Sequence, residues 1–587
     1  MKFSEFCSYL DRIENESSRN EMSLILAELV KKSSSEEIRN AIYLLLGRTA
    51  PLYVAQEFNF SARSIIKSLA VFSGKEVEMI NNRFKEIGDL GNLTEEYIVG
   101  QKGSDLEINE VHYHLEKLAR ISGKNSQKLK QDYFIDLLKK LNSKEGRYIG
   151  RIIGGDMRLG LSLKSLFQAL SISITGDNSI KDQIEYAYGV KADPGLIAKI
   201  IKESGVNAIS ELRPEPGIPI ASKLVERESS SGKIIKRMGD CLIQPKFDGL
   251  RVQIHYSKNG FSQINNEGEL PLSNVNRVRI FSRNMEDMTE MFPDVVKAIE
   301  GFSVQSFIVD GEAIGIDNIS GLYMAFQDTI RRKRKHDVDM ISKVYPLQVN
   351  LFDIIELDGN DLSRLELLER MDILKNLIKN DGGKLIRVTE MSRVSSETEL
   401  EKLFTDYVDK GLEGIIAKSL TSKYDPGTRN YDWIKLKASS KKELIDTVDA
   451  VVMGYYLGTG ARAKLGIGAL LAGVYDREQD RYVSLAKVGS GLSDDGIRKY
   501  LKVMEPYKLT EMPKNYEISN TLIPDVVISP QIVISIAADS ISRSKMHEAA
   551  GFSLRFPRLI VFGRDKAPED TTSLKELEQM CQIKSRN

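Results

Sequence analysis

The spacing of apolar residues changes character near residue 210, and that change limits the fold more than any other feature of the chain. Through residues 21–32, 36–46, 62–71, 76–87, 111–121, 127–141 and 163–170, apolar side chains recur every three or four positions, with almost no strand-like alternation. That period lines one face of a helix, so the first two hundred or so residues are predicted to be helical. The pattern alone also suits a helical interaction domain with no chemistry. The segment Glu211-Leu212-Arg213-Pro214-Glu215-Pro216-Gly217-Ile218-Pro219 then stops helices and reads as a linker.

Beyond the linker, β-rich runs at 241–245, 277–282, 306–316, 347–355, 414–418 and 433–437 alternate in places with helical stretches at 364–378 and 397–409, which predicts a mixed α/β region. A polar, charged stretch at 438–446 precedes a third texture, with β-runs at 450–456, 469–475, 482–488, 526–535 and 558–562 and glycine-rich turns. These fit a small Greek-key barrel of the oligonucleotide-binding (OB) type, or a generic sandwich. At 587 residues the chain is too long for one core. We expect a multidomain α+β protein with a helical domain at 1–214, a mixed α/β domain at 215–440 and a β-barrel at 441–587. No internal repeat is evident.

Composition excludes several classes. With 41% hydrophobic and 28% charged residues, and no apolar stretch of bilayer length, no membrane partner is expected. The first residues turn acidic and polar too early for a secretory signal, so a cytoplasmic location is expected. Cys7, Cys241 and Cys581 are far apart, and the five histidines are scattered, which supports neither a disulfide framework nor a zinc site. Lys plus Arg equals Asp plus Glu at 83 each, so any nucleic-acid binding must rest on local basic surfaces. The run Arg331–His336 is either such a contact or a solvated loop.

The segment that carries chemistry is Lys246-Phe247-Asp248-Gly249-Leu250-Arg251. A lysine amine titrates near about 10.4 and attacks nothing until cations, a metal or desolvation favour its neutral form. On a continuous strand from 242 to 254, Lys246 and Asp248 share a face, Gly249 admits a phosphate or ribose to the backbone, and Arg251 can hold an anionic oxygen. A surface hairpin with solvated charges is the alternative. Downstream, Val309-Asp310-Gly311-Glu312-Ala313, Glu413-Gly414-Ile415-Ile416-Ala417-Lys418 and Trp433-Ile434-Lys435-Leu436-Lys437 add acids and lysines at the ends of apolar runs. Glu312 and Glu413 read either as ion-pair partners of Lys418 or Lys435, or as ligands of Mg²⁺. Asp310 is a candidate structural acid, and Phe352 alone reads as plain core.

Taken in order, KFDGLR, VDGEAI, LFDII, EGIIAK and WIKLK resemble motifs I, III, IIIa, IV and V of the nucleotidyltransferase superfamily of polynucleotide ligases and capping enzymes. Phe281-Ser282-Arg283-Asn284, Tyr456-Leu457-Gly458, Ser553-Leu554-Arg555-Phe556-Pro557-Arg558 and Met157-Arg158-Leu159-Gly160-Leu161 resemble segments of replicative ATP-dependent DNA ligases of archaea and eukaryotes. The resemblance implies a helical DNA-binding domain, an adenylation domain and an OB-fold domain. It implies nick sealing in duplex DNA during replication, repair and recombination. Lys246 would form a lysyl-AMP intermediate, with ATP as donor and Mg²⁺ (or Mn²⁺) as metal. Gln244 would read the adenine amine, Phe352 would stack on adenine, and Glu312 would bind ribose or metal together with Glu413. Arg251, Arg283, Arg429, Lys435 and Lys437 would contact sugar and phosphate. Arg555, Arg558, Arg564 and Lys566 would assist the first step, with 438–446 as a hinge.

The rival with the same lysine chemistry is an RNA ligase or capping guanylyltransferase, which the helical N-terminal domain does not match. A silent DNA-binding scaffold would not need Lys246, Glu312, Glu413 and Lys435 intact. The chain departs from the family in three places. Most relatives carry glutamate where Gln244 stands, and the polar interval 257–276 is longer than usual. Clamp-binding relatives use a glutamine-led segment ending in two aromatics. Residues 101–105 lack the aromatics, and 127–134 has Tyr133 and Phe134 but places Lys130 where an apolar residue belongs. A monomer is expected.

Overall fold

The computed structural model describes residues 1–587 apart from 55, 99–104, 262–275, 317–322, 325–328, 330–331, 333–337, 382–384, 438–446, 459–464, 539, 545–548 and 586–587. The chain forms two compact units, Met1–Leu436 and Lys437–Asn587. No helix among the described residues is long and apolar enough to cross a membrane.

Among the described residues, the first unit begins with thirteen helices, from Phe3–Glu14 to Val206–Ser210. Phe3–Glu14 shows why they form, since Phe3, Phe6, Cys7, Leu10 and Ile13 fall on one face and are fully buried. Helix Ser143–Gly154 was not among the expected helices: Gly146, Gly150 and Gly154 are poor helix formers, although Tyr148, Ile149, Ile152 and Ile153 keep helical spacing. Those glycines let helix Leu90–Tyr97 approach closely, and a Cβ on Gly150 would lie 2.7 Å from Thr94 Oγ1. Arg151 is buried at the same crossing, where it bonds Glu14 and Asp89 at 2.8 Å each.

The α/β part of this unit is two sheets. The first contains β1 (Leu224–Arg227), β2 (Cys241–Lys246), β9 (Ser392–Val394), β10 (Gly414–Ser419) and β11 (Arg429–Lys437), in the order β1-β11-β10-β2-β9. The second contains β3 (Leu250–Ser257), β4 (Val278–Phe281), β5 (Ser306–Gly315), β6 (Leu347–Leu357) and β7 (Asn360–Asp361), in the order β4-β3-β5-β6-β7, with β8 (Ile386–Val388) beside β6. Apolar residues of β3, β5 and β6 pack with Phe292, Leu367, Met371 and Leu374 from flanking helices into one core.

Residues 211–220 are pinned to β3. The Gly217 N–H donates to His255 Nδ1 (3.1 Å), and the Ile220 N–H donates to Gln253 Oε1 (2.8 Å). His255 Nε2 lies 3.0 Å from that same Gln253 oxygen, which fixes a neutral imidazole with Nε2 as donor. Burial, helped by the Arg279 charge, pushes the His255 pKa down to about 3. The unfolded chain takes up this proton near about pH 6.5, so stability is whole above that value and is lost as pH falls towards 3. Thermal melts from pH 7 to pH 4 are expected to show a steeper acid-side loss for the wild type than for His255→Asn. Parallel curves would contradict this.

The second unit is a closed barrel built from β12 (Val448–Leu457), β13 (Ile467–Asp476), β14 (Arg481–Val488), β15 (Tyr516–Glu517), β16 (Val526–Val527), β17 (Val533–Ala537) and β20 (Arg558–Arg564). The order is β15-β14-β13-β12-β17-β20, and a parallel bridge from Ser490 to Arg558 joins β20 to the end of β14. With helix Asp494–Met504 between the third and fourth long strands, this is the OB topology. The run expected at 526–535 divides in two, and Pro530, which has no N–H for a ladder, stands in the gap. A separate hairpin pairs β18 (Ser540–Arg543) with β19 (Phe552–Arg555).

Three expectations fall wholly or largely outside the described residues: the hinge at 438–446, the interval 257–276 and the glutamine-led segment at 101–105. Of the basic run, only Arg332 is described. It is neither solvated nor open to DNA, being buried and paired with Asp294 at 2.5 Å.

Candidate active site

The segment from 242 to 254 is not one strand. β2 ends at Lys246 in the first sheet, Phe247–Gly249 turns, and β3 starts at Leu250 in the second sheet. The expectation that Lys246 and Asp248 share a strand face therefore fails. The turn needs a glycine, because a Cβ on Gly249 would collide with the Ala313 carbonyl of β5. Lys246 consequently stands at the mouth between the two sheets.

Opposite Lys246, β10 begins at Gly414. The Glu413 N–H donates to the Lys246 carbonyl at 3.0 Å, and Lys246 Nζ lies 2.5 Å from Glu413 Oε2. Both side chains are about one-fifth exposed. Glu413 thus pairs with Lys246, a partner the ion-pair reading did not name. From the second sheet, Glu312 accepts the Gly249 N–H at 3.2 Å. Burial pushes the Glu312 pKa up to about 7, against the opposing charges of Lys246 and Arg251.

Arg251, Glu312 and Asn350 occupy one cross-strand row over β3, β5 and β6. The Arg251 guanidinium donates to both oxygens of the fully buried Asp310, at 3.2 and 2.5 Å, and to the Lys223 carbonyl at 3.2 Å. Tyr424 Oη donates to Asp310 at 2.6 Å. Asp310 therefore anchors Arg251, whose guanidinium lies 5.2 Å from the centre of the Phe352 ring. Phe352 is half-buried and meets Trp433 edge-on at 6.2 Å.

Several groups in this cleft were missed by sequence reasoning. Lys418, fully buried, donates to the Phe352 carbonyl at 2.9 Å and sits 3.8 Å over the Trp433 ring. Burial lowers its pKa to about 7, with Asp353 at 4.0 Å opposing that shift. Asp353 is itself paired with buried Arg370 at 2.8 Å. Lys223 donates to Asp425 at 2.9 Å, and Asn350 is buried with its amide nitrogen unpaired. A charged or polar residue inside or beside an apolar run is the signal the sequence offered for Lys418, Asp353 and Asn350.

The other candidates stand further out. Arg283 and Arg429 are exposed, at the ends of β4 and β11, and Lys435 and Lys437 alternate along β11 on the face of Trp433. In the barrel unit, Lys566 and Arg564 converge on Asp449 at 3.1 and 3.8 Å; against its burial, the Ser535 hydroxyl and then these two cations hold its carboxyl below the usual range. Arg555 and Arg558 flank Phe556, an exposed residue at φ 51°.

Three family models match the chain in order: "DNA ligase N terminus" over residues 2–171, "ATP dependent DNA ligase domain" over 270–437 and "ATP dependent DNA ligase C terminal region" over 463–566. A "Probable DNA ligase" of Dictyoglomus turgidum is 39% identical across 99% of this chain and 97% of its own length. A "DNA ligase" of Pyrobaculum arsenaticum is 33% identical across 99% of this chain and 98% of its own. Among solved structures, "Pmar-Lig_PreS3" superposes with a TM-score of 0.55 at 18% identity, covering 95% of this chain and 99% of that one, which supports the shared fold. A helical region, a two-sheet domain with Lys246 at its mouth, an OB barrel and these full-length relatives together place the chain in the ATP-dependent DNA ligase family.

Proposed function

We propose that the protein seals nicks in duplex DNA that carry a 5′-phosphate and a 3′-hydroxyl, using ATP through lysyl-AMP and DNA-adenylate intermediates. The observation that carries this reading is Lys246 at the mouth between two sheets, 2.5 Å from Glu413 and beside Glu312. The ion pair with Glu413 occupies the Lys246 amine, so that contact has to open before the amine can act on a nucleotide. Having lost its ammonium proton, the amine attacks the α-phosphorus of ATP. An N–P bond forms, the bond to the bridging oxygen breaks, pyrophosphate leaves and an amine proton is released. The AMP then passes to the 5′-phosphate of the nick, and the 3′-hydroxyl displaces it.

Glu312 and Glu413 supply two carboxylates, and no group of three or more His, Cys, Asp or Glu side chains arranged for a metal occurs among the described residues. That donor set suits Mg²⁺ (or Mn²⁺), which takes its remaining ligands from water and phosphate and would offset charge on the transferring phosphoryl group. Arg283, Arg429, Lys435 and Lys437 would hold sugar and phosphate, with Phe352 beneath the base. Arg555, Arg558, Arg564 and Lys566 would favour departure of pyrophosphate. We assign these roles to three domains, 1–214 for DNA binding, 215–440 for adenylation and 441–587 for the OB fold.

Incubation with α-labelled ATP and MgCl₂ is expected to leave acid-labile label on the protein. A chase with nicked duplex DNA is expected to move that label to the 5′-phosphate and then to free AMP. No label, or label that stays on the protein through the chase, would contradict the reading.

A further inference from the structure

We propose that Gln244 reads the purine 6-position and that the pocket accepts 6-oxopurine triphosphates, represented by inosine triphosphate, alongside ATP. This rests on the covalent reading above and adds to it the class of base. Gln244 lies two residues before Lys246 on β2, on the same strand face. Its neighbour across the ladder is Ile416, whose side chain offers no hydrogen bond. The rows on either side fix the two ends of the site. Lys246 faces Gly414 at one end and Leu242 faces Lys418 at the other, and Lys418 Nζ is 5.0 Å from the centre of the Phe352 ring. Gln244 therefore stands between the amine that takes the α-phosphate and the aromatic ring.

The Gln244 side chain is 1% exposed, and its amide nitrogen has no hydrogen-bond partner among the described residues. A buried donor left unpaired is costly, so its partner is expected to arrive with the ligand. A carboxamide presents a donor and an acceptor side by side. Adenine matches it with its exocyclic amine as donor and a ring nitrogen as acceptor. Hypoxanthine reverses the pair, with O6 as acceptor and N1–H as donor, and a 180° rotation of the amide restores both bonds. A carboxylate at this position could only accept, so it would suit the adenine amine and meet O6 acceptor to acceptor. The transfer itself is unchanged: the N–P bond forms at Lys246 as pyrophosphate leaves.

The experiment compares labelling of the full chain by α-labelled ATP and α-labelled ITP with MgCl₂. The wild type is expected to label with ITP within about tenfold of ATP, and Gln244→Glu to lower the ITP-to-ATP ratio by about tenfold or more. Should the buried glutamate prevent folding, Gln244→Met removes donor and acceptor at similar size and is expected to weaken both triphosphates by a common factor. ITP trailing ATP by more than about tenfold in the wild type, a ratio unmoved in Gln244→Glu, or a ratio that shifts in Gln244→Met would overturn the inference. If neither triphosphate labels the protein, the covalent reading itself falls, a result distinct from labelling by ATP alone.

Discussion

Lys246→Ala is expected to carry no acid-labile nucleotide and to lose ATP-dependent sealing by at least about 10⁴-fold, because under the proposed mechanism no other amine replaces the group that forms the N–P bond. A buried amine of the same sheet, Lys418, is held by the Phe352 carbonyl and lies over Trp433, four residue pairs along the ladder from Lys246. Lys246→Arg is expected to fail equally, since a guanidinium does not give up its proton in a protein. The loss should be confined to steps that use the amine. Lys246→Ala should therefore still seal a nick that is supplied already adenylated, where the 3′-hydroxyl only displaces AMP. Glu413 loses its ion partner in this variant, but at one-fifth exposure it stays hydrated and remains able to act. Sealing of the adenylated nick, measured by gel against sealing from ATP, separates these cases. Loss of both would mean that Lys246 chiefly maintains the site's architecture, and retention of both would remove it from the mechanism.

How far this site could be read from sequence depends on the range of the interactions that build it. Lys246, Glu312 and Glu413 announce themselves as polar residues at the ends of apolar runs, and the motif order places them in one cleft. The sequence did not announce the break at Phe247–Gly249. A glycine within a strand-like stretch fits a continuous strand as well as a turn, and the deciding contact, the Ala313 carbonyl against Gly249, comes from a distant strand. Lys418 was read as the polar end of a strand that could reach Glu312 or Glu413. It is buried because the Phe352 carbonyl, the Trp433 face and Asp353 satisfy it from other elements, and no local pattern encodes that set. The barrel was legible as strands, but its closure depends on the bridge from Ser490 to Arg558. Helix Ser143–Gly154 carries three glycines that weaken its propensity, and it is held by close packing together with the Asn142–Glu145 capping box.

The second large effect concerns stability, at the buried pair of Arg370 with Asp353, the residue after Phe352 on β6. Arg370 and Asp353 are both fully buried, bonded at 2.8 and 3.0 Å, and Arg370 also donates to the carbonyls of Leu365 and Ser422 at 2.6 and 2.9 Å. Breaking a buried pair by removing one partner typically costs about 3–5 kcal/mol, because the remaining charge is left without compensation. Arg370→Ala is expected to fall in that range and to lower the melting temperature of the first unit. The cost should sit towards the lower end, because Lys418 stands 4.0 Å from Asp353 and takes over as a cation partner. The charge of Arg370 is one of the forces that holds Lys418 down to about 7, so its removal lets the Lys418 pKa rise and strengthens the substitute pair. The compensation can be measured as non-additivity: Lys418→Met in the Arg370→Ala background should cost more than Lys418→Met in the wild type. Replacing Arg370 and Asp353 together with apolar residues of similar volume should recover much of the loss, as it removes the stranded charge. A loss below about 1 kcal/mol for Arg370→Ala would show that Asp353 is not isolated from water.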